Sequence, residues 1–374
     1  MLADTVYKFM LREVAPITER IDREDYFPLD VWKKIGALGL MGLTVPEEYG
    51  GGGQDLLATV LVMEQMSRIC PAVALSYGAH AVLCTDTLYH NANEEQRRRY
   101  LPGLCSGEKI GCLALTEPNA GSDAVSIQTT ARREGDHYLL NGTKMFITNA
   151  PVGHVFVVYA KTDKAAGARG ISAFIVERDF PGLSVPRKLE KMGHRGSPTG
   201  EVVFEDCRVP AANLLGQENR GVAVMMSGLD RERAAVAAIP VGLAQGTLDL
   251  ALKYAKERVQ FGQPIASFQL IQAKLADMYT QIEAARLLTY KAAILADRSE
   301  RGGKGTEIHK VAAAAILFAG EMATRVALEA LQIHGGYGYM LEYPVNRYVR
   351  DAKLLEIGAG TSEIRRLVIA RELL

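Results

Sequence analysis

The sequence has no surplus of charge: 43 lysines and arginines face 43 aspartates and glutamates over 374 residues. A chain so balanced carries no overall field to draw it to nucleic acid or to an anionic membrane. Cysteine is sparse. Cys70, Cys84, Cys105, Cys112 and Cys207 are odd in number and contain no C-x-x-C pair, which argues against a disulfide framework or zinc site and fits reduced thiols. No metal is expected. No apolar run approaches the ~18 residues of a membrane span, and the N-terminus lacks a signal-peptide core and an arginine-rich transit segment. The expectation is a bacterial cytoplasmic protein, or one of the mitochondrial matrix if the chain is a trimmed mature form. Common nucleotide loops are missing too. No G-x-G-x-x-G follows a strand, and GGKGT at Gly302 lacks both the upstream glycine and the Ser or Thr directly after the lysine that a Walker loop requires.

What is present divides by texture. From residue 1 to 109 the apolar residues keep helical spacing, as in VWKKIGALGL and LLATVLVMEQMSRI. The nearly uncharged segment Val73–Cys84 predicts deep burial, with Tyr77 and Ala79 as candidate pocket-lining residues. From 110 to 215 short β-rich runs alternate with glycine, proline, asparagine and aspartate turns, the pattern of an antiparallel sandwich or barrel. From 216 to 374 long helical periods return, predicting helices over 221–259, 268–299, 306–332 and 361–374. The expected fold is mainly α with a central β-domain: an N-terminal helical domain, a middle antiparallel β-domain and a C-terminal four-helix bundle. Helix, strand, helix in blocks is not the βαβ alternation of a dinucleotide-binding sheet.

Several stretches could carry chemistry. In Met225–Leu243, Met225, Leu229, Val236, Ile239 and Leu243 recur at the spacing of a buried helix face, and Glu232 falls on the same stripe. A carboxylate there either pairs with Arg231, Arg233 or a distant cation, or is a general base whose pKa desolvation raises. LALTEPNAGSDA runs from a strand into a turn with spare N–H groups and hydroxyls. MFITNA ends another strand. Glu257–Gln269 breaks a helix at Gly262 and Pro264, and Leu331–Met340 carries three glycines where another helix ends. Each taken alone is more often an ordinary turn or helix stop than a ligand site.

Together, LTEPNAGSD, FITN, the R-x-x-F-G-x-x-I turn, QIHGGYGY and the closing EIGAGTSEIRRLVIARELL occur in the order and spacing of the acyl-CoA dehydrogenase family, which this sequence resembles from end to end. The resemblance implies an FAD-dependent enzyme, in most members a homotetramer built as a dimer of dimers. It implies isoalloxazine contacts from Leu113, Leu115, Thr116, Gly121, Ser122, Phe146, Ile147 and Thr148. Adenine dinucleotide contacts would come from Arg258, Phe261, Gln269, Gln332, Gly335 and Gly336, several of them across a subunit boundary. Thr361 and Glu363 would close over the flavin. Ser122, Asp230, Arg231 and Arg233 match positions that hold coenzyme A and the acyl thioester, with Gly358, Ala359 and Gly360 beside the thioester.

Two departures from the family pattern carry meaning. Phe146 stands where many members have tryptophan, keeping a stacking face and losing an N–H. Ala359 stands where most members place the catalytic glutamate. In one branch, the isovaleryl and long-chain enzymes, the base lies in a segment like SGLDRER, which matches Glu232; Glu356 is a rival three residues early. The wider resemblance is to the isovaleryl type. It implies α,β-dehydrogenation of a short branched acyl-CoA, with electrons passed to an electron-transferring flavoprotein. Other acyl chains are the alternatives within the family, and a nucleic-acid-binding relative of the fold is the alternative outside it. Neither nucleic acid nor membrane is an expected partner.

Overall fold

The computed structural model describes residues 1–298 and 307–374. Ser299 and Thr306, expected helix ends, and the Gly302 loop therefore lie outside the described residues. The first helical layer comprises α1 (Leu2–Glu13), α2 (Thr18–Arg23), α3 (Leu29–Ala37), α4 (Leu56–Ile69), α5 (Pro71–Gly78), α6 (Thr87–Asn91) and α7 (Glu94–Cys105). Local chemistry sets their starts. The Asp55 side chain accepts from the Ala58 N–H to open α4, and Asn93 and Gln96 form a reciprocal capping box at α7. Between α5 and α6 the chain widens into a π-helical stretch, Ala79–Asp86. Val73–Cys84 is almost wholly buried there. Tyr77 is core, its hydroxyl donating to the Leu40 carbonyl at 2.7 Å.

Eight strands follow: β1 (Gly111–Ala114), β2 (Thr130–Glu134), β3 (His137–Thr148), β4 (Val155–Lys161), β5 (Ile171–Glu177), β6 (Leu183–Ser184), β7 (Thr199–Pro210) and β8 (Leu214–Leu215). They form one sheet in the order β6-β7-β3-β2-β4-β5-β8, with β1 beside β4. The ladders are antiparallel except that β1 pairs in parallel with β4 and Thr130 in parallel with Lys161. Strands β4 and β5 are buried on both faces. A register shift between Lys144 and Ile147 bulges β3 and turns Phe146 out at φ 62°.

The last third holds α8 (Gly221–Val236), α9 (Ala238–Glu257), a tight hairpin of β9 (Val259–Gln260) and β10 (Gln263–Pro264), α10 (Gln269–Arg298), α11 (Glu307–His334), α12 (Val345–Leu354) and α13 (Ser362–Leu373). The single helix expected over 221–259 is two, interrupted at Ala237. Pro240 has no N–H to offer the Val236 carbonyl, so the ladder breaks one turn before it. Helix α11 packs against α8, α9, α10, α12 and α13. Gly221–Glu257 and Glu307–Tyr339 are long and apolar enough by composition to cross a membrane, contrary to the expectation that no such run exists. The fold explains the composition: 72% and 61% of their apolar windows are buried inside the protein, because central helices contact neighbours on several sides.

Helix α9 also binds the two helical regions together by crossing α4 with backbone in close approach. A Cβ built on Gly242 would lie 2.1 Å from the Glu64 carbonyl oxygen, and one on Gly246 equally close to that of Arg68. Gly242→Ala should therefore cost at least about 1–3 kcal/mol of stability, read as a fall in the denaturant midpoint at unchanged slope.

Candidate active site

Helix α8 lays Met225 and Val224 against the sheet and brings Asp230, Arg231, Glu232 and Arg233 into burial together. Four consecutive charged residues at 6–9% exposure need partners or must lose their charge. Arg231, expected at the thioester, has its guanidinium committed elsewhere. It donates to Asp86 of the π-helical stretch at 2.9 Å and to Asp297 of α10 at 3.0 Å, and so fixes α8 between the two helical regions. Asp230 lies 2.6 Å from His309 Nδ1 and 3.6 Å from Arg233. The Asp230 Oδ1 and Arg233 Nε atoms are buried without a hydrogen-bond partner among the described residues.

Glu232 is different. No described residue donates a hydrogen bond to its carboxylate, and burial pushes its carboxyl up to about 7 against the smaller opposing pull of the Arg233 and Arg365 guanidiniums. Its sequence rival is tied down: Glu356 accepts from Thr324 and from Lys353 Nζ at 2.9 Å. Although burial opposes them, those bonds hold its carboxyl below the usual carboxylate range. At pH 7 one group is poised to take up a proton and the other is a bound anion.

Arg365 links this helix to the turn before α13. It is 1% exposed and donates to the carbonyls of Ile316 at 3.4 Å, Leu355 at 2.9 Å and Gly358 at 2.5 Å. Ala359 follows at φ 56° and Gly360 at φ 88°. Thr361 caps α13 by accepting from the Ile364 N–H, with Glu363 exposed in the first turn. Sequence reasoning missed Arg365, because a helix-terminal arginine reads as a surface charge until its burial is known.

On the sheet, the two candidate flavin segments are brought together. The Met145 N–H donates to Thr116 O at 2.8 Å, and Lys144 Nζ donates to Leu115 O at 3.1 Å and Glu117 Oε1 at 2.8 Å. Glu117 also accepts from the N–H groups of Gln128 and Thr129, which fastens the Leu115–Ser126 turn from beneath. Burial draws the Lys144 amine down to about 8 despite this partner. The pair escaped the sequence reading for the same reason as Arg365. Leu113, Leu115, Thr116 and Thr148 are half-buried, Ile147 is buried, Gly121 and Ser122 are exposed, and Phe146 is 66% exposed.

A second cluster forms at the end of the bundle. The guanidinium of Arg258 lies 5.3 Å from the Tyr337 ring centroid, which brings the hairpin and the glycine turn to one place. Phe261 is 93% exposed at the hairpin tip, and Gln269, Gln332, Gly335 and Gly336 are exposed around it. No hydrogen bond, ion pair or ring contact among the described residues joins this cluster to the sheet segments.

Family models for the acyl-CoA dehydrogenase N-terminal, middle and C-terminal domains match residues 1–108, 112–207 and 219–374. The chain belongs to the acyl-CoA dehydrogenase family. It is 52% identical to the mitochondrial isovaleryl-CoA dehydrogenase of Pongo abelii over 374 residues, covering 99% of this chain and 87% of that one. It is 50% identical to the mitochondrial 2-methylacyl-CoA dehydrogenase of Solanum tuberosum, covering 99% and 89%. The structure of butyryl-CoA dehydrogenase from Megasphaera elsdenii superposes with a TM-score of 0.95 at 41% identity, covering 100% of this chain and 97% of that one.

Acyl-CoA dehydrogenases are flavin-dependent oxidoreductases, and this chain has groups that fit FAD. The Thr116 and Thr148 hydroxyls are half-buried with no hydrogen-bond partner among the described residues, and an aromatic face stands out beside them at Phe146. At the bundle end, a built Cβ on Gly335 or Gly336 would meet nothing within 4 Å, so the backbone there is open to approach. Among the described residues no group of three or more His, Cys, Asp and Glu side chains could hold a metal.

The raised Glu232 carboxyl has a stability consequence. The unfolded chain releases this proton near the ordinary value of 4.5 and the folded chain near 7, so the folded state holds more protons between them and stability falls as pH rises through that window. Above pH 7 the whole cost is present. Glu232→Gln should thus be close to neutral for stability at pH 4.5 and stabilise by an amount on the order of 1–3 kcal/mol at pH 8, checked by denaturant unfolding at both pH values.

Proposed function

We propose that the enzyme oxidises a short branched acyl-CoA thioester between its α and β carbons, converting isovaleryl-CoA to 3-methylcrotonyl-CoA in leucine breakdown. Glu232 is the base in this reading, and its isolation carries the argument: it is the buried carboxylate of the site with no hydrogen-bonding partner among the described residues and a carboxyl near 7, while Ala359 offers only a methyl group and Glu356 is bound. Electrons leave to an electron-transferring flavoprotein, and the exposed cluster at Arg258, Phe261 and Tyr337 joins a neighbouring subunit in a homotetramer. Five free, buried cysteines suit a reducing compartment, which we take to be a bacterial cytoplasm.

The α-hydrogen of a thioester is very weakly acidic, so a carboxylate alone is far too slow. Negative charge building on the carbonyl oxygen needs a donor aimed at it. The Ala359 N–H has no acceptor among the described residues and offers itself to that oxygen. Asp230 and Arg233, buried beside Glu232, keep polar atoms for the thioester's polar groups; Arg231 holds the helix. When bound, FAD supplies the two-electron oxidant for the β-hydrogen. Glu232 takes the α-proton and becomes neutral, which its buried setting favours.

A methyl group at 359 leaves room beside the turn for a branch in the acyl chain. The 50% identity to a 2-methylacyl-CoA dehydrogenase makes an α-branched substrate the second reading.

Three outcomes check the proposal. Glu232→Gln should retain flavin and bind acyl-CoA yet reduce its flavin slower by several orders of magnitude, with Glu356→Gln within about tenfold of wild type. In the wild type, the anaerobic reduction rate should rise with pH around a midpoint near 7. Across an anaerobic panel, isovaleryl-CoA should bleach the flavin fastest. Faster bleaching by 2-methylbutanoyl-CoA selects the second reading, and faster bleaching by butyryl- or octanoyl-CoA rejects branched specificity.

A further inference from the structure

Resting on the site proposed above, we infer that Arg365 is a positioning residue that aims the Ala359 N–H at the thioester oxygen. Arg365 is the largest of the fully buried side chains. Among the described residues it has no carboxylate within ion-pair distance, and its donated hydrogen bonds all end on backbone carbonyls: those of Ile316, Leu355 and Gly358. Burying a cation without a paired anion is costly, so a purely structural staple would be served better by a neutral group.

The geometry of the peptide unit gives the arginine its task. In a planar trans peptide the carbonyl and the following N–H point in opposite directions. Gly358 O is held by Arg365 at 2.5 Å, so the Ala359 N–H of the same peptide is turned away from the arginine, where no acceptor among the described residues meets it. Ala359 sits at φ 56°, a conformation that costs an alanine on the order of 1 kcal/mol and must be imposed by its surroundings. Gly320 makes room for this clamp. A Cβ built there would lie 2.7 Å from Leu355 O and 3.4 Å from Arg365 Nη1. The cation also faces Glu232. When that carboxylate takes the α-proton, negative charge passes to the oxygen at Ala359, and the guanidinium attracts it in both places without moving.

The test uses holoenzymes of Arg365→Lys, Arg365→Ala and Gly320→Ala, the last pushing on the Leu355 carbonyl that the guanidinium holds while leaving the arginine in place. Acetoacetyl-CoA, whose acidic α-carbon forms an enolate, reports the oxyanion donor through its long-wavelength charge-transfer band with oxidised flavin. S-Butyl-CoA, a thioether with no carbonyl, reports binding alone. All three variants should lose most of the band per bound ligand and reduce flavin about 10- to 100-fold slower with isovaleryl-CoA, while thioether affinity and KM stay within about threefold. Added guanidinium ion should restore part of the band in Arg365→Ala. A full band in the variants, or thioether affinity falling in step with it, overturns the role given to Arg365. A wild type with no band overturns the acyl-CoA site itself.

Discussion

The site depends on a cost: ionised groups taken out of water must be paired, bonded or neutralised. Helix α8 places Asp230, Arg231, Glu232 and Arg233 in succession where the N-terminal helices, the sheet and the bundle meet. Three of them have ion-pair partners. Arg231 takes Asp86 and Asp297 and ties α8 to two other elements, while Asp230 is shared between His309 and Arg233. Glu232 has none within bonding distance among the described residues, and burial without a partner raises its pKa. The proposed general base is in this sense what remains when its neighbours have been satisfied.

The turn before α13 answers that arrangement from across the site. Ala359 contributes no titratable group, and its value lies in its backbone, held at an unfavourable φ by a buried arginine on one side and a helix cap at Thr361 on the other. In the proposed reading, proton acceptor and charge stabiliser come from a helix and a turn more than a hundred residues apart, each fixed by groups that do not themselves react. Glu356, between them in neither role, spends its charge on Lys353 and Thr324.

The sheet supplies the third side by the same means. Lys144 and Glu117 are buried as a pair whose bonds run to the Leu115 carbonyl and to the N–H groups of Gln128 and Thr129. Their charges neutralise each other. Among the described residues the Thr116 and Ser122 hydroxyls of this turn have no hydrogen-bond partner, and the bulge in β3 presents Phe146 beside them. That bulge depends on pairing with β7, some fifty residues on.

The order of helical and strand-rich blocks was readable in the chain because periods of 3.6 and 2 are local properties. The combination of a carboxylate at Glu232 with a methyl group at Ala359, on which the proposed base rests, needs only the identities of two residues. The interruption at Ala237 was in principle visible from Pro240. What only the tertiary structure decided is which charges are paired. The sequence shows Arg231, Arg233, Lys144 and Arg365 as equal cations, and nothing local distinguishes the one that bonds two carboxylates from the one that bonds carbonyls. Burial and partnership are set by segments tens to hundreds of residues away, and the shifted pKa values of Glu232 and Lys144 follow from them.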